Sequence, residues 1–364
     1  MRGNSFNRFF LRFFPVPRFL STSSFGLDIS DESIKFIELV NTKYGIRVGR
    51  HGEADIPPGV IEAGKIKNQK KVEEILLSLR KEAGLKSVRI SLLEEQVYLF
   101  KLRLEKLGLE NIRESIELLL EEHVPLSAAD AIFDYEILSE DGQSLELEVA
   151  TIQKNVIESY LSIFKNSEIK VESVELEAQA ISRAVIKKGD MGSYMIVDFG
   201  EKRTGIFIVS RAVVMFTSTL DVGGATLTEM IAKNFKISYE DAEKMKRKSG
   251  LERNADNKEI FPVLLNSVSI LRDELVKHFL YWHTHKDEED KNNPPLEKII
   301  LCGGDSNLIG LSDYLSVSMK TKVEMANVWI NIMNTENYIP DMDFKRALSF
   351  AAALGLALGD FDQN

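Results

Sequence analysis

Short apolar runs divided by polar turns set the reading of this chain. Phe25 to Ser30 (FGLDIS) is apolar apart from Asp28, the pattern of a buried strand that ends in a turn. Ile34 to Val40 alternates and reads as the returning strand of a hairpin, with Tyr44 to Ala54 as a third strand. Over 69–83, Val72, Ile75, Leu76 and Leu79 recur at helical spacing, and Gly84 supplies the stop. The same order then returns. Tyr194 to Gly200 is a second buried strand, 204–209 its hairpin partner, 213–219 a third strand, and Gly223-Gly224 opens a helix to about Phe235. The chain therefore carries a βββα opening twice, with Asp28 at the mouth of one hairpin and Asp198 at the other. Two such halves facing each other predict a cleft between lobes, a preferred place for a ligand.

Between the copies lies a different pattern. Strand-like stretches at 88–92 and 97–102 precede an amphipathic helix over 110–123 that Val124-Pro125 ends. Strands at 132–138 and 145–152 flank an Asp141-Gly142 turn, and a helix over 154–165 follows. The pattern predicts a small α+β module inserted at about 85–170. A strand at 169–174 and a helix at 177–187 lead back to the main body. Past the second copy come helices at 239–249 and 260–285, a charged linker at 286–295, a strand ending in Gly303-Gly304, and a final helix over 344–358. The expected division is a basic-aromatic segment (1–24), a first lobe (25–84), the insertion (85–170), an interlobe helix (171–192), a second lobe (193–343) and a C-terminal helix and tail packing back on the first lobe (344–364).

Composition narrows the function. At 364 residues the chain is too long for one ordinary core and suits two. A net charge of -10 leaves no cationic excess to neutralise phosphates along a nucleic acid, so no nucleic-acid partner is expected. The single cysteine, Cys302, excludes a disulfide framework and fits a reducing cytosol; in the run Ile299 to Cys302 it reads as a small hydrophobe. No apolar stretch reaches the ~18–20 residues of a membrane-crossing helix. Residues 1–24 differ from the rest: four arginines (Arg2, Arg8, Arg12, Arg18), six phenylalanines and no acid. One reading is contact with an anionic membrane surface or a partner. The other is a tail, or a strand docked on the chain's own core.

The candidate chemistry is phosphate binding. A nucleoside triphosphate needs backbone N–H groups converging on its oxygens and carboxylates that hold Mg²⁺ through water. The first hairpin offers Asp28, Ser30 and Ser33, with Lys35 placed to reach a phosphate as a point charge. The second offers Asp198, Gly200, where backbone can approach closely, and the Thr204 hydroxyl. Asp31 and Glu32, inside the first loop, oppose an anion unless they point outward or reach Mg²⁺.

Taken together, these motifs resemble the actin/Hsp70/sugar-kinase superfamily. FGLDISDESIKFIEL is similar to its first phosphate loop, MIVDFGEKRTGIFIV to its second, and IILCGGDSNLIGLSDYL, with Gly303, Gly304 and Asn307, to its adenosine motif. LDVGGATLTEMIAKNF and EDAEKMKRKSG resemble the FtsA/PilM branch, which implies Gly223 and Gly224 beside the nucleotide and Glu243 and Lys246 at ribose and base. The insertion in the first lobe and its wording (KLRLEKLGLENIRESIELLLEEHVPLSAADAIFDYEIL) resemble the PilM family of type IV pilus assembly. The resemblance implies a two-lobed actin-like α/β ATPase fold, a duplicated ribonuclease H-like unit, with a small α+β subdomain inserted in the first lobe. It implies ATP and Mg²⁺, the metal held through water by Asp28 and Asp198.

It implies further a protein peripheral at the cytoplasmic face of the inner membrane. Its partners would be the N-terminal peptide of a PilN-like membrane protein, other platform proteins of the pilus, and copies of itself. The resemblance makes Glu177, opening the interlobe helix, the first candidate to orient attacking water, with Glu175 and Gln179 behind it; an acid favoured by the helix dipole is the other reading of Glu177, and any turnover is expected to be slow. Two alternatives stand beside this reading: an FtsA-like filament protein of cell division, and an actin-fold adaptor blind to nucleotide.

Overall fold

A computed structural model describes residues 24–92, 94–105, 112–140, 144–252, 257–284, 293–332 and 338–361. The basic-aromatic segment, the Asp141-Gly142 turn and most of the 286–295 linker lie outside the described residues. The first sheet begins with the expected meander. β1 (Phe25–Ile29) runs antiparallel to β2 (Ser33–Thr42), which pairs with β3 (Gly45–Asp55). A small hairpin, β4 (Ile61–Glu62) and β5 (Lys65–Ile66), leads to α1 (Gln69–Ala83). Asn68 caps α1 by accepting from the Lys71 N–H, and Gly84 ends it in the left-handed region. β6 (Ser87–Leu92) returns parallel to β1.

The expected insertion boundary at 85 needs correction here. β6 is buried at every position and lies inside the first sheet, between β1 and β10 (Lys170–Leu176). A strand buried on both faces is a central strand of a parallel sheet. The inserted unit is instead β7 (Val97–Glu105), α2 (Ile112–His123), β8 (Ala131–Glu140) and β9 (Ser144–Gln153). It forms a separate sheet in the order β7-β9-β8, and Leu102, Leu104, Leu145, Leu147 and Val149 share a core with Ile112 and Ile116 of α2. α3 (Lys154–Asn166) also belongs to the body, since Tyr160, Ile163 and Phe164 pack with α1 and β1.

α4 (Glu177–Val185) crosses to the second copy. There β11 (Ser193–Phe199), β12 (Thr204–Ser210) and β13 (Val213–Leu220) form the second meander. α5 (Gly224–Phe235), α6 (Tyr239–Ser249) and α7 (Ile260–Thr284) follow, then β14 (Lys298–Cys302), α8 (Leu311–Met319) and β15 (Val323–Met325). The two five-stranded sheets share one topology. The first reads β3-β2-β1-β6-β10 and the second β13-β12-β11-β14-β15: an antiparallel meander whose first strand then takes two parallel neighbours. This is the two-lobed actin-like architecture.

Alternation along the first strand of each sheet explains the layers. In β11, Met195, Val197 and Phe199 face the second lobe's own helices, while Tyr194 and Ile196 face a core shared between the lobes. That shared core holds α4 and the C-terminal element. The latter is not one helix: α9 (Phe344–Ala347) passes through a tighter turn at Leu348–Phe350 into α10 (Ala351–Leu358). α10 is buried along its length and meets α4 so closely that a Cβ on Gly355 would stand 1.7 Å from the Ala180 carbonyl oxygen. Small residues in 344–358 are therefore a packing requirement of the interlobe seam. No described helix is long and apolar enough to cross a membrane.

Candidate functional site at the interlobe cleft

Each lobe presents the turn of its first hairpin to the cleft. Asp28 stands on β1 directly opposite Lys35 on β2. Its carboxylate is buried and accepts from the Ser91 hydroxyl at 3.2 Å. Burial pushes the Asp28 carboxyl up, partly offset by Lys35. Lys35 is raised despite its burial because Asp28 and Glu53 hold its charge; it donates to Ser33 Oγ at 2.7 Å and pairs with Glu53 at 3.1 Å. Ser30 closes the turn. Its Oγ accepts from the N–H groups of Glu32 and Ser33, and its own N–H reaches the Ser33 carbonyl at 2.9 Å. Serine serves here because the turn needs no positive φ at this position.

The second turn is built differently. Asp198 ends β11 opposite Gly205, with Cys302 beside it on the parallel strand β14. Burial, then the nearby Asp28, push its carboxyl up to about 6. Gly200 donates to the Arg203 carbonyl and accepts from the Gly224 N–H at 3.0 Å, which fixes the start of α5 against the turn. Gly223 caps that helix without a side chain. Gly303 takes φ 89°, and a Cβ there would stand 2.5 Å from Asp198 Oδ1, so only glycine fits. Gly304 accepts from Asn307 Nδ2. Cys302 is buried with its thiol pushed well up by burial, in keeping with a structural role.

Several expected ligands have other duties. Thr204 is fully buried and donates to the Val222 carbonyl at 2.6 Å, so its hydroxyl ties β12 to the loop before α5. Lys246 is 3% exposed, and its three ammonium protons have three acceptors: Gly224 O at 3.0 Å, Asp305 Oδ1 at 2.7 Å and Glu243 Oε2 at 2.9 Å. Glu243 also accepts from Thr228 at 2.5 Å and pairs with Arg247. Glu243 and Lys246 thus form, with Asp305, a knot that joins α5, α6 and the turn after β14. Asn307 holds the main-chain carbonyls of Gly304 and Lys345.

Asp31 and Glu32 both have partners within the protein. Asp31 turns away from the loop's centre and accepts from the N–H groups of Ala63 (2.9 Å) and Gly64 (3.1 Å). It also pairs across the cleft with Arg203 at 3.3 Å, while Glu32 pairs with Lys202 at 3.2 Å. Arg203 further binds Glu95. The first lobe's acids therefore grip the two cations of the second lobe's turn.

Glu177 opens α4, whose N-cap position is Leu176 and has no side chain to cap with. Glu94 supplies the cap from a distance, accepting from the Ala178 N–H at 2.6 Å. Glu94 and Glu177 lie close enough for each to influence the other's proton. Burial, partly offset by the Ala178 N–H, pushes Glu94 up to about 7, and burial with the charge of Glu94 pushes Glu177 well above the carboxylate range. Asp28 and Asp198 add to the repulsion felt by Glu177. Glu94, Glu95, Arg203 and Asp305 were missed in the sequence. The available signal was position: Glu94-Glu95 follow a buried parallel strand, and Asp305 follows Gly303-Gly304, as Asp28 and Asp198 close theirs.

The donor set fits a hydrated Mg²⁺. Two buried carboxylates with raised affinity for protons face each other, which is where a divalent cation gives most relief. Among the described residues no three acids, histidines or cysteines converge into a direct cage. Mg²⁺ keeps waters and binds through one or two carboxylates plus substrate phosphates, a requirement that Asp28 and Asp198 would match.

Comparison with known proteins places this geometry. The chain superposes on the PilM-PilN type IV pilus biogenesis complex with a TM-score of 0.76 at 19% identity, covering 94% of this chain and 99% of that one. It is similar to the ethanolamine utilization protein EutJ from Carboxydothermus hydrogenoformans (TM-score 0.56, 16% identity, 94% and 91% covered). It is also similar to MreB5 of Spiroplasma citri bound to ADP (TM-score 0.58, 12% identity, 93% and 96% covered). At these identities the likenesses speak for the fold. The model of the family described as type IV pilus assembly protein PilM matches residues 26–361, from the first strand to the end of the last helix. A match of that extent decides membership: the chain belongs to the PilM family of type IV pilus assembly proteins.

Proposed function

We propose that this pilus assembly protein is a nucleotide-responsive scaffold. It takes ATP with Mg²⁺ between its lobes and presents its inserted subdomain to a PilN-like membrane protein. The observation that carries the nucleotide part is the convergence of Asp28 and Lys35 from one hairpin, Asp198 from its copy and Glu177 from the helix between them. Mg²⁺ would supply charge neutralisation between the phosphates and the two aspartates. Lys35 would meet a phosphate as a point charge, and the turn backbones would give N–H donors. Glu177, at the helix start, would orient water for a slow hydrolysis. Closure around the nucleotide would alter what the insertion presents.

The partner site is a groove of about 510 Å³ between the inner face of the β7-β9-β8 sheet and the body. Leu99, Ile132 and Ile152 line one wall, and Leu176, Val213 and Val214 the other. We assign it to the cytoplasmic N-terminal peptide of a PilN-like protein. The fold likeness to the PilM-PilN complex and the groove's apolar walls support this. Through that partner, and through residues 1–24, the protein would sit peripherally at the cytoplasmic face of the inner membrane, beside other platform proteins and further copies of itself.

Thermal unfolding with and without Mg-ATP, on wild type and Asp198→Ala, tests the nucleotide reading. A ligand that binds only the folded state adds about 2.7 kcal/mol at a hundredfold excess over its Kd. We expect a rise in the wild-type midpoint that the variant loses. No rise at millimolar ATP would leave the second reading, an adaptor blind to nucleotide. One observation favours that alternative: Lys202 and Arg203, the cations nearest the second turn, already have protein carboxylates.

A further inference from the structure

Glu148 interrupts a strand that otherwise calls for apolar residues. It lies in β9, the middle strand of the inserted sheet, between Leu147 and Val149. Those two point to the α2 side and its core. Glu148 is on the opposite face and lines the groove. It is 6% exposed, and its Oε2 is buried with no hydrogen-bond partner. A buried unpaired carboxyl is costly, and native folds rarely keep one without a use.

The surroundings make the vacancy specific. On the same sheet face Glu148 is flanked by Lys101 of β7 and Glu136 of β8. Lys101 pairs with Glu146 at 3.8 Å. Glu136 is a like charge directly opposite, an arrangement that destabilises a strand pair. Other charges around the groove are engaged elsewhere. Arg113 lies over the Phe133 ring and near Asp134, and Arg183 pairs with Glu175 at 2.7 Å. The groove thus has apolar walls and an acidic floor that Lys101 and Arg183 offset only in part.

We propose, resting on the peptide-groove reading above, that Glu148 with Glu136 receives a cationic side chain of the bound peptide. The groove then selects an apolar segment carrying one lysine or arginine. An ammonium or guanidinium between the two carboxyls satisfies the orphaned Oε2 and neutralises both carboxylates once Glu148 has lost its proton. Burial pushes the Glu148 carboxyl up to about 8, with Lys101 opposing and Glu136 and Glu146 adding. The empty groove therefore holds a proton on Glu148 at neutral pH, and a bound cation expels it. Charge selection and proton release go together.

Calorimetric titration of the full chain tests this. The probes are the synthetic N-terminal peptide of the PilN-like protein and versions with each lysine, arginine and the amino terminus neutralised in turn. We expect one neutralisation to weaken binding at least tenfold. Glu148→Gln, nearly isosteric, should bind charged and neutral peptides alike. Wild type should release about one proton per charged peptide at pH 7, read from buffers of different ionisation enthalpy, and Glu148→Gln none. Equal affinities for all peptides, or binding without proton release, overturn the inference while leaving the groove reading intact. No binding by any peptide removes both. A peptide of residues 1–23, with its four arginines, is the competing probe; tenfold tighter binding by it would overturn the assignment to a partner. Leu99→Asp, which spoils an apolar wall, should abolish binding of every peptide and so locates the site.

Discussion

Glu94 shows how one buried acid shapes both the site and the stability of the protein. Its folded carboxyl is pushed up to about 7, so between about pH 4.5 and 7 the folded state binds a proton that the unfolded state has lost. Stability from this group is therefore complete below about pH 4.5 and is lost as pH rises through about 7. Glu94 and Glu177 titrate as one unit, and the slope belongs to the pair. Glu94→Gln keeps an oxygen for the Ala178 N–H but removes the proton. Urea midpoints at pH 5.5 and 7.5 should then differ less in the variant, by up to about 1.4 kcal/mol per pH unit. An unchanged slope would mean that Glu94 is ionised throughout. At this scale the sequence was legible where a residue's duty is local: Asp28, Lys35 and Asp198 sit at hairpin positions that alternation alone fixes. It was silent on Arg203 and Glu95, which are 108 residues apart and meet only because two lobes close. The sequence could not show that the Thr204 hydroxyl donates to the Val222 main-chain carbonyl, because a hydroxyl in a phosphate-loop pattern looks the same with either partner.

Elements follow the same division. Every strand of the two meanders was readable from its pattern, because hairpins pair neighbours in sequence. Residues 87–92 were assigned to the wrong unit. A short apolar run does not say which sheet it joins, and its partners β1 and β10 lie about sixty and eighty residues away. The seam between α4 and α10 was visible only as a run of small residues over 344–358. The structure gives that run its reason at Gly355 and Ala180. Gly355→Ala places a methyl group against backbone that cannot yield as a flexible side chain can. We expect a loss of about 1–3 kcal/mol or more, seen as a lowered denaturation midpoint. Ala357→Gly, on the same helix, should cost about 1–2 kcal/mol, the helix-propensity difference plus one buried methyl group. A Gly355→Ala protein as stable as wild type would show that the two helices are not in contact in solution.

The whole molecule is held closed by charge as well as by that seam. Arg203 is 15% exposed and reaches Asp31 and Glu95 across the cleft, and Lys202 reaches Glu32. These cations sit in the turn that the proposed nucleotide site would place beside phosphates. On that proposal the acids and a triphosphate would compete for the same guanidinium, and clamp and nucleotide would be linked through a single group. Glu95→Gln makes the consequence measurable. It removes a charge from the clamp while leaving Asp31 with its two N–H donors. The ligand-free protein should lose about 1.5–3 kcal/mol, the usual cost of one charge-assisted hydrogen bond. Freed of one competitor, Arg203 should bind phosphate better, and the stabilisation by Mg-ATP should grow, with the apparent Kd falling about tenfold. Thermal unfolding across an ATP titration reads both effects from one set of curves. A lower ligand-free midpoint with unchanged ATP affinity would make Arg203 a clamp alone, and the coupling between closure and nucleotide would then have to run through Lys35 and the aspartates.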